Sequence, residues 1–190
     1  MNEVGKSLNE VGIRRGTPSD ALLLSALAID TFPLACPPST IQANIDEFCA
    51  KNLSPEAFEG YLTDTAYRSW LASDGERAVG YLLSRDGEPL DSVIAQAVTG
   101  RPCREISKIY VREEFHGSSV APQLLTRAID DAVRAGLTSA WLGVNQENSR
   151  ANRFYQRNGF ELVGERTFQV GESVEADYVR EKDLTAAPHG

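Results

Sequence analysis

Histidine is almost missing from this chain, cysteine is sparse and odd in number, and no long apolar run occurs. The two histidines are His116 and His189. A Ser-His-Asp hydrolase would have to rest on His116, which sits in a turn, so that class is set aside. Cys36, Cys49 and Cys103 lie far apart. They form no disulfide framework, fit a reducing, cytoplasmic setting, and offer no close Cys/His spacing for zinc. No stretch approaches the roughly 20 apolar residues of a membrane helix, and Met1–Gly12 carries no apolar signal core. Positive charge is also short: 19 basic against 27 acidic residues leave a formal charge of -8. That argues against a nucleic-acid partner, which needs a basic face. It is compatible with a cationic substrate, and equally with solubility alone.

What is present is enough apolar matter, 42% of 190 residues, for one well-filled core. A single domain is expected over 13–184, with the polar ends 1–12 and 185–190 as loose tails. Ile13–Arg15 reads as a short strand. Thr17-Pro18-Ser19-Asp20 then opens a helix in which Leu22, Leu23, Ala26, Leu27 and Asp30 fall at helical spacing, most of that face being assigned to the core. Pro33, Pro37 and Pro38 break it. Ser39 or Thr40 is placed to cap a second helix carrying Ile41, Ile45 and Phe48, and Ser54-Pro55-Glu56 opens a third through Phe58 and Leu62. Tyr67–Ala72 and Arg77–Ser84 are strands joined by the hairpin signal Ser73-Asp74-Gly75. The segment 86–102 reads as a surface insertion with a short helix between Leu90 and Val98.

Glu105–Val111 is the next strand. Val120, Leu124, Leu125, Ala128, Ile129, Ala132 and Val133 then recur at steps of three and four, the clearest amphipathic helix in the chain, and Gly136 is placed to end it. Ser139–Val144 is a strand and Ser149–Arg157 a helix closed by Asn158-Gly159. Phe160–Val163, Arg166–Val170 and Asp177–Arg180 make a strand-rich end.

The turn Phe115-His116-Gly117-Ser118-Ser119-Val120-Ala121 joins a strand to the long helix. The first amides of a helix lack internal acceptors and carry the positive end of its dipole. Small residues let a diphosphate approach them, and Gly117 tolerates angles that larger residues resist. Taken alone, this is also what an ordinary serine-capped turn looks like.

The stretch 105–160, with Asn148-x-x-Ala151-x-x-x-Tyr155-x-x-x-Gly159-Phe160, resembles the GCN5-related N-acetyltransferase superfamily. In that family a strand leads into a turn of pattern Arg/Gln-x-x-Gly-x-Gly/Ala. Here the pattern positions are His116, Ser119 and Ala121, with Gly117 between them, so His116 and Ser119 depart from the pattern and Ala121 fits it. The likeness spans about 13–184. Ser54-Pro55-Glu56, Phe168-x-x-Gly171 and Asp177-Tyr178 look like a bacterial branch that includes polyamine acetyltransferases.

The resemblance implies an α/β fold: a mixed, mostly antiparallel sheet flanked by helices and splayed between the strands at 105–111 and 139–144. Acetyl-CoA would lie in the splay as co-substrate, and a primary amine, a small polyamine-like acceptor, would take the acetyl group. The pantetheine arm would meet the backbone of Ile109, Tyr110 and Val111, with the Val111 amide polarising the thioester. The turn residues His116, Gly117, Ser118, Ser119, Val120 and Ala121 would face the pyrophosphate. Asn148 and Ala151 would flank the arm, although Asn148 also suits a helix cap. Arg150, Arg153 and Arg157 would meet phosphate or simply form a solvated face. Tyr155 is the candidate proton donor to the departing thiolate; its reference pKa of about 10 needs local help against a thiol's of about 8.5. Glu105 is the candidate base, or else the group that binds the acceptor's ammonium. Tyr61 and Tyr67 are candidates for the acceptor pocket. A protein N-terminus or lysine as acceptor, a non-catalytic CoA sensor, and a homodimer all stay open.

Overall fold

The computed structural model describes residues 11–170 and 172–185. Within them the chain forms seven strands, β1 (Gly12–Arg15), β2 (Tyr67–Asp74), β3 (Arg77–Asp86), β4 (Cys103–Val111), β5 (Ser139–Asn145), β6 (Glu161–Val170) and β7 (Ser173–Asp183). The helices are α1 (Ala21–Thr31), α2 (Gln42–Asn52), α3 (Pro55–Thr63), α4 (Ser92–Ala97), α5 (Val120–Arg134) and α6 (Ser149–Arg157). Among the described residues the strands make one sheet in the order β1-β2-β3-β4-β5-β7-β6. Neighbours pair antiparallel except β4 and β5, which run parallel because α5 carries the chain back between them. This is the expected mixed, mostly antiparallel sheet.

Helices cover both faces. On one, α5 and α6 pack Val120, Leu124, Leu125, Ala128 and Tyr155 over Trp70, Leu82, Ile106 and Leu142. On the other, α1 to α3 lay Leu24, Leu27, Ala28, Ile45 and Phe58 against Leu71, Tyr81 and Leu83. Helix ends are capped where the sequence signals them: Ser54 Oγ accepts from Ala57 N, and Asn148 Oδ1 accepts from Ala151 N. Gly136 (φ 77°) closes α5.

Several local expectations change. Leu22 (72% exposed), Leu23 and Ala26 face solvent in α1, while Leu24, Leu27 and Ala28 fill the core. The helix is apolar on nearly every side, so periodicity could not choose its face; docking did. Val133 is half exposed, since Ala132 holds the core position of the last turn of α5. Neither Ser39 nor Thr40 caps α2: Thr40 N is held in a turn by Pro37 O, and Ile41 takes the cap position with its side chain exposed. The hairpin loop is Gly75-Glu76, because Asp74 already pairs with Arg77. The strand-rich end consists of two long strands, with no break between Val163 and Arg166 in β6. Gly12 lies in β1 rather than in a tail; Met1–Glu10, Gly171 and Ala186–Gly190 lie outside the described residues.

The segment 86–102 does run over the surface, with Leu90 and Val93 exposed, but it is also anchored to the sheet. Asp91 caps α4 by accepting from Val93 N and Ile94 N. Ile94 and Val98 bury against Cys103, Trp141 and Val179, and the amides of Thr99 and Gly100 donate to the Glu181 carboxylate. A second buried polar knot ties β4 to its neighbours. Arg104, with a wholly buried side chain, donates to both Asp86 oxygens, to Asp131 and to Ala128 O.

Candidate active site

β4 and β5 pair over only three residues, Cys103↔Ser139, Arg104↔Ala140 and Glu105↔Trp141, and then separate. On its other edge β4 stays with β3, but not in even register. Leu83 faces Lys108 and Ser84 faces Ile106, so Ser107 is an extra residue, a β-bulge. A bulge bends its strand and raises the local twist, which turns the upper half of β4 away from β5. The result is a cleft of about 560 Å³ lined by β4 from Glu105 to Val111, the turn before α5, the end of β5, α6, and the segment between α1 and α2.

One side of this cleft is built for a long, anionic ligand. Arg112 N donates to Val79 O across the β3–β4 ladder. Adjacent backbone groups on a strand point to opposite edges, so the Val111 amide and carbonyl face the cleft. The carbonyl is already engaged, accepting from His116 Nε2 at 2.9 Å. Arg150 donates to His116 Nδ1. A guanidinium has no acceptor and a carbonyl no donor, so the imidazole carries its proton on Nε2. At the start of α5 the amides of Gly117, Ser119 and Ala121 have no hydrogen-bond partner among the described residues, and Gly117 sits at φ 80° with open space where a Cβ would stand. The Ser118 hydroxyl is spent on the turn, donating to Phe115 O and accepting from Val120 N. Ser119 Oγ instead accepts from Gln123. Free amides at a dipole's positive end and an open strand edge are what a pantetheine-diphosphate ligand requires, so these residues fit it.

Tyr155, in the last turn of α6, lies against Phe154 and Phe160 with ring centroids 5.2 and 5.8 Å away, and lines the cleft. Burial pushes its phenol well above the ordinary value, so the group is protonated at neutral pH. Its hydroxyl has no partner among the described residues. Asn148 and Ala151 also line the cleft; the Asn148 carbonyl oxygen is committed to the cap, and its amide nitrogen is not.

The opposite end is charged. Glu105 is partly buried, and desolvation raises its carboxyl above the usual range while Arg166, Lys108 and Arg85 oppose the shift. Lys108, also partly buried, is lowered to about 8 by desolvation, with Glu105 opposing. Its ammonium lies 5.1 Å from the Tyr61 ring centroid and donates to Ser107 Oγ. Arg166 pairs with Asp177 at 3.3 Å and lies on Gly143, where a Cβ would collide with its guanidinium. Burial raises the Asp177 carboxyl, against the pull of Arg166.

Of the residues expected at the site, Glu105, Ile109, Tyr110, Val111, His116, Gly117, Ser118, Ala121, Asn148, Ala151 and Tyr155 line one cleft. Ser119 and Val120 do not; Val120 is 1% exposed and packs in the core. Arg150 and Arg157 reach the cleft, whereas Arg153 is solvated. Tyr61 and Tyr67 do not line it; their rings meet each other tilted, with centroids 5.0 Å apart. The sequence did not mark Lys108 or Arg166 as site residues, since no local pattern reveals a bulge or which residue of the neighbouring strand, here Asp177, comes to face Arg166. Asp177 had been noted only for its place in a motif.

The model of the Acetyltransferase (GNAT) family matches residues 34–160. An uncharacterized N-acetyltransferase of Mycobacterium tuberculosis is 39% identical over 166 residues, 87% of this chain and 99% of that protein. Among solved structures, PaiA N-acetyltransferase from Thermoplasma acidophilum in complex with coenzyme A superposes with a TM-score of 0.72 at 16% identity, covering 92% of this chain and 99% of that one. Arabidopsis thaliana NAA60 in complex with acetyl-CoA superposes with a TM-score of 0.69 at 17% identity, covering 93% and 100%.

Proposed function

The chain belongs to the acetyltransferase (GNAT) family, and from that premise we propose that it is an acetyl-CoA-dependent N-acetyltransferase acting on a primary amine, with Tyr155 and Glu105 as its catalytic residues. The observation that carries this reading is the single cleft that holds a protonated phenol beside one face of the sheet and, on the other, a partly buried carboxylate with no ion pair among the described residues.

When bound, acetyl-CoA supplies the thioester whose carbonyl carbon the amine attacks; the C–N bond forms, the C–S bond breaks, and an ammonium acceptor gives an amide, a thiol and one released proton. The Val111 amide donates to the carbonyl oxygen as negative charge gathers there, the stage at which a fixed dipole contributes most. Displacement of His116 frees the Val111 carbonyl for the pantetheine arm. The amides of Gly117 and Ala121 hold the diphosphate, with Arg150 at the mouth. Glu105 takes a proton from the bound ammonium, so that the nitrogen arrives neutral. Its raised pKa suits that task better than an ordinary carboxylate's. Tyr155 gives its phenolic proton to the leaving sulfur and is reprotonated from solvent.

Glu105, Glu175 and Asp177 support a cationic, polyamine-like acceptor; the cations Lys108 and Arg166 in the same chamber weigh toward one that also carries negative charge. Thiol release from acetyl-CoA is measured against spermidine, amino acids, aminoglycosides and short peptides with a free N-terminus or lysine. Turnover with an amine class supports the proposal and selects the acceptor. In Tyr155→Phe, kcat is expected to fall roughly 100-fold, within the usual range for a lost general acid. Acetyl-CoA affinity by calorimetry is expected to stay put. Tight binding without turnover on any amine would make the protein a sensor instead.

A further inference from the structure

Glu105 and Lys108 are three residues apart on β4, an odd spacing that would put their side chains on opposite faces of a regular strand. The bulge at Ser107 cancels this. Arg85 faces Glu105 and Leu83 faces Lys108, and those two β3 residues share a face, so both charged side chains enter the acceptor chamber together. Each feels the other's charge, but no direct ion pair joins them, and among the described residues no carboxylate pairs with the ammonium of Lys108. The neighbouring Arg166 and Asp177 already neutralise each other. On the β4 wall itself this leaves one anion and one cation, both largely desolvated, while Glu175 adds a carboxylate elsewhere in the cleft. A purely cationic acceptor would satisfy the first and repel the second.

We infer that the acceptor is a zwitterion of the α-amino-acid type, its amine held at Glu105 and its carboxylate at Lys108. Two residues of strand span roughly 7 Å, a gap that an amine and a carboxylate on one carbon fill with a hydrogen bond at each end. The Tyr61 ring beneath the ammonium holds it in place without neutralising it, leaving its charge to be met by the ligand. The inference rests on the acetyltransferase reading and specifies its substrate class; Lys108 is the specificity-determining residue.

The test compares matched acceptors that differ only in the carboxylate: ornithine against 1,4-diaminobutane, and an amino acid against its methyl ester. Thiol release is followed for the wild type, Lys108→Met and Lys108→Arg. The expected result is a kcat/KM preference of roughly tenfold or more for the carboxylate-bearing member, the difference that one charged hydrogen bond makes. The preference should collapse toward unity in Lys108→Met, through KM rather than kcat, and be partly restored in Lys108→Arg. Lys108→Met should bind acetyl-CoA by calorimetry as tightly as the wild type, which shows that it is folded. Equal or better turnover of the diamine or the ester by the wild type overturns the inference, as does a preference that survives in Lys108→Met. Failure of the acetyltransferase reading itself looks different: no thiol release with any amine.

Discussion

Glu105 and Tyr155 illustrate how one physical term, loss of water, serves two tasks. Burial raises both groups. For the phenol this keeps a proton in place to be given away; for the carboxylate it increases the readiness to take one. The pH dependence follows with a definite sign. A base must be deprotonated to act, so kcat/KM falls as pH drops through the Glu105 value, and that value lies above the usual carboxylate range. An acidic limb displaced upward is expected in the wild type, and its loss in Glu105→Gln, whose residual activity should vary little across the same window. A limb unchanged in Glu105→Gln would transfer the role to Asp177, which burial also raises. Tyr155 and Asn148 were legible from their spacing, because both sit on one short helix whose geometry is local. The pairing of Glu105 with Lys108 was not, because it depends on a register slip set by β3.

At the scale of elements, the site is held by contacts made below and beside it. The Arg104 side chain joins the end of β3 to α5 through Asp86, Asp131 and Ala128 O, one residue before Glu105. Removing one partner of a buried charge network leaves the others uncompensated. Arg104→Met is expected to destabilise the protein by about 3 kcal/mol, seen as a lowered urea midpoint. A change under 1 kcal/mol, as for an exposed pair, would mean that solvent already screens the network. On β5, Gly143 is small because Arg166 lies on it. Gly143→Ala should push the guanidinium off Asp177 and raise acceptor KM several-fold while acetyl-CoA binding stays constant. Equal losses in both would point to a general disturbance of the cleft. The α4 segment, read from its flanking Pro and Gly as an excursion, is also pinned to the sheet at Cys103, Trp141 and Val179. Ile94 and Val98 bury largely against Trp141 and Val179, far along the chain, which is why composition misjudged it.

For the whole molecule, the decisive feature is a sheet that opens where its one parallel pair stops. A ligand lodged there binds the folded protein alone and must stabilise it; at a hundred times its dissociation constant the gain is about 2.7 kcal/mol. Acetyl-CoA is therefore expected to raise the melting temperature by several degrees, and the absence of a shift would remove the basis for the proposed function. By itself the sequence determined the elements whose pattern is local: the amphipathic α5, the glycine turn before it, the capped α6 with Asn148 and Tyr155, and through them the family and the kind of fold. Only the tertiary structure decided which side of the evenly apolar α1 is buried, where α4 docks, and that Glu105, Lys108, Arg166 and Asp177 share a chamber. Those outcomes turn on strand register and on packing between segments far apart in the chain. Side-chain periodicity along one strand or helix carries no information about either.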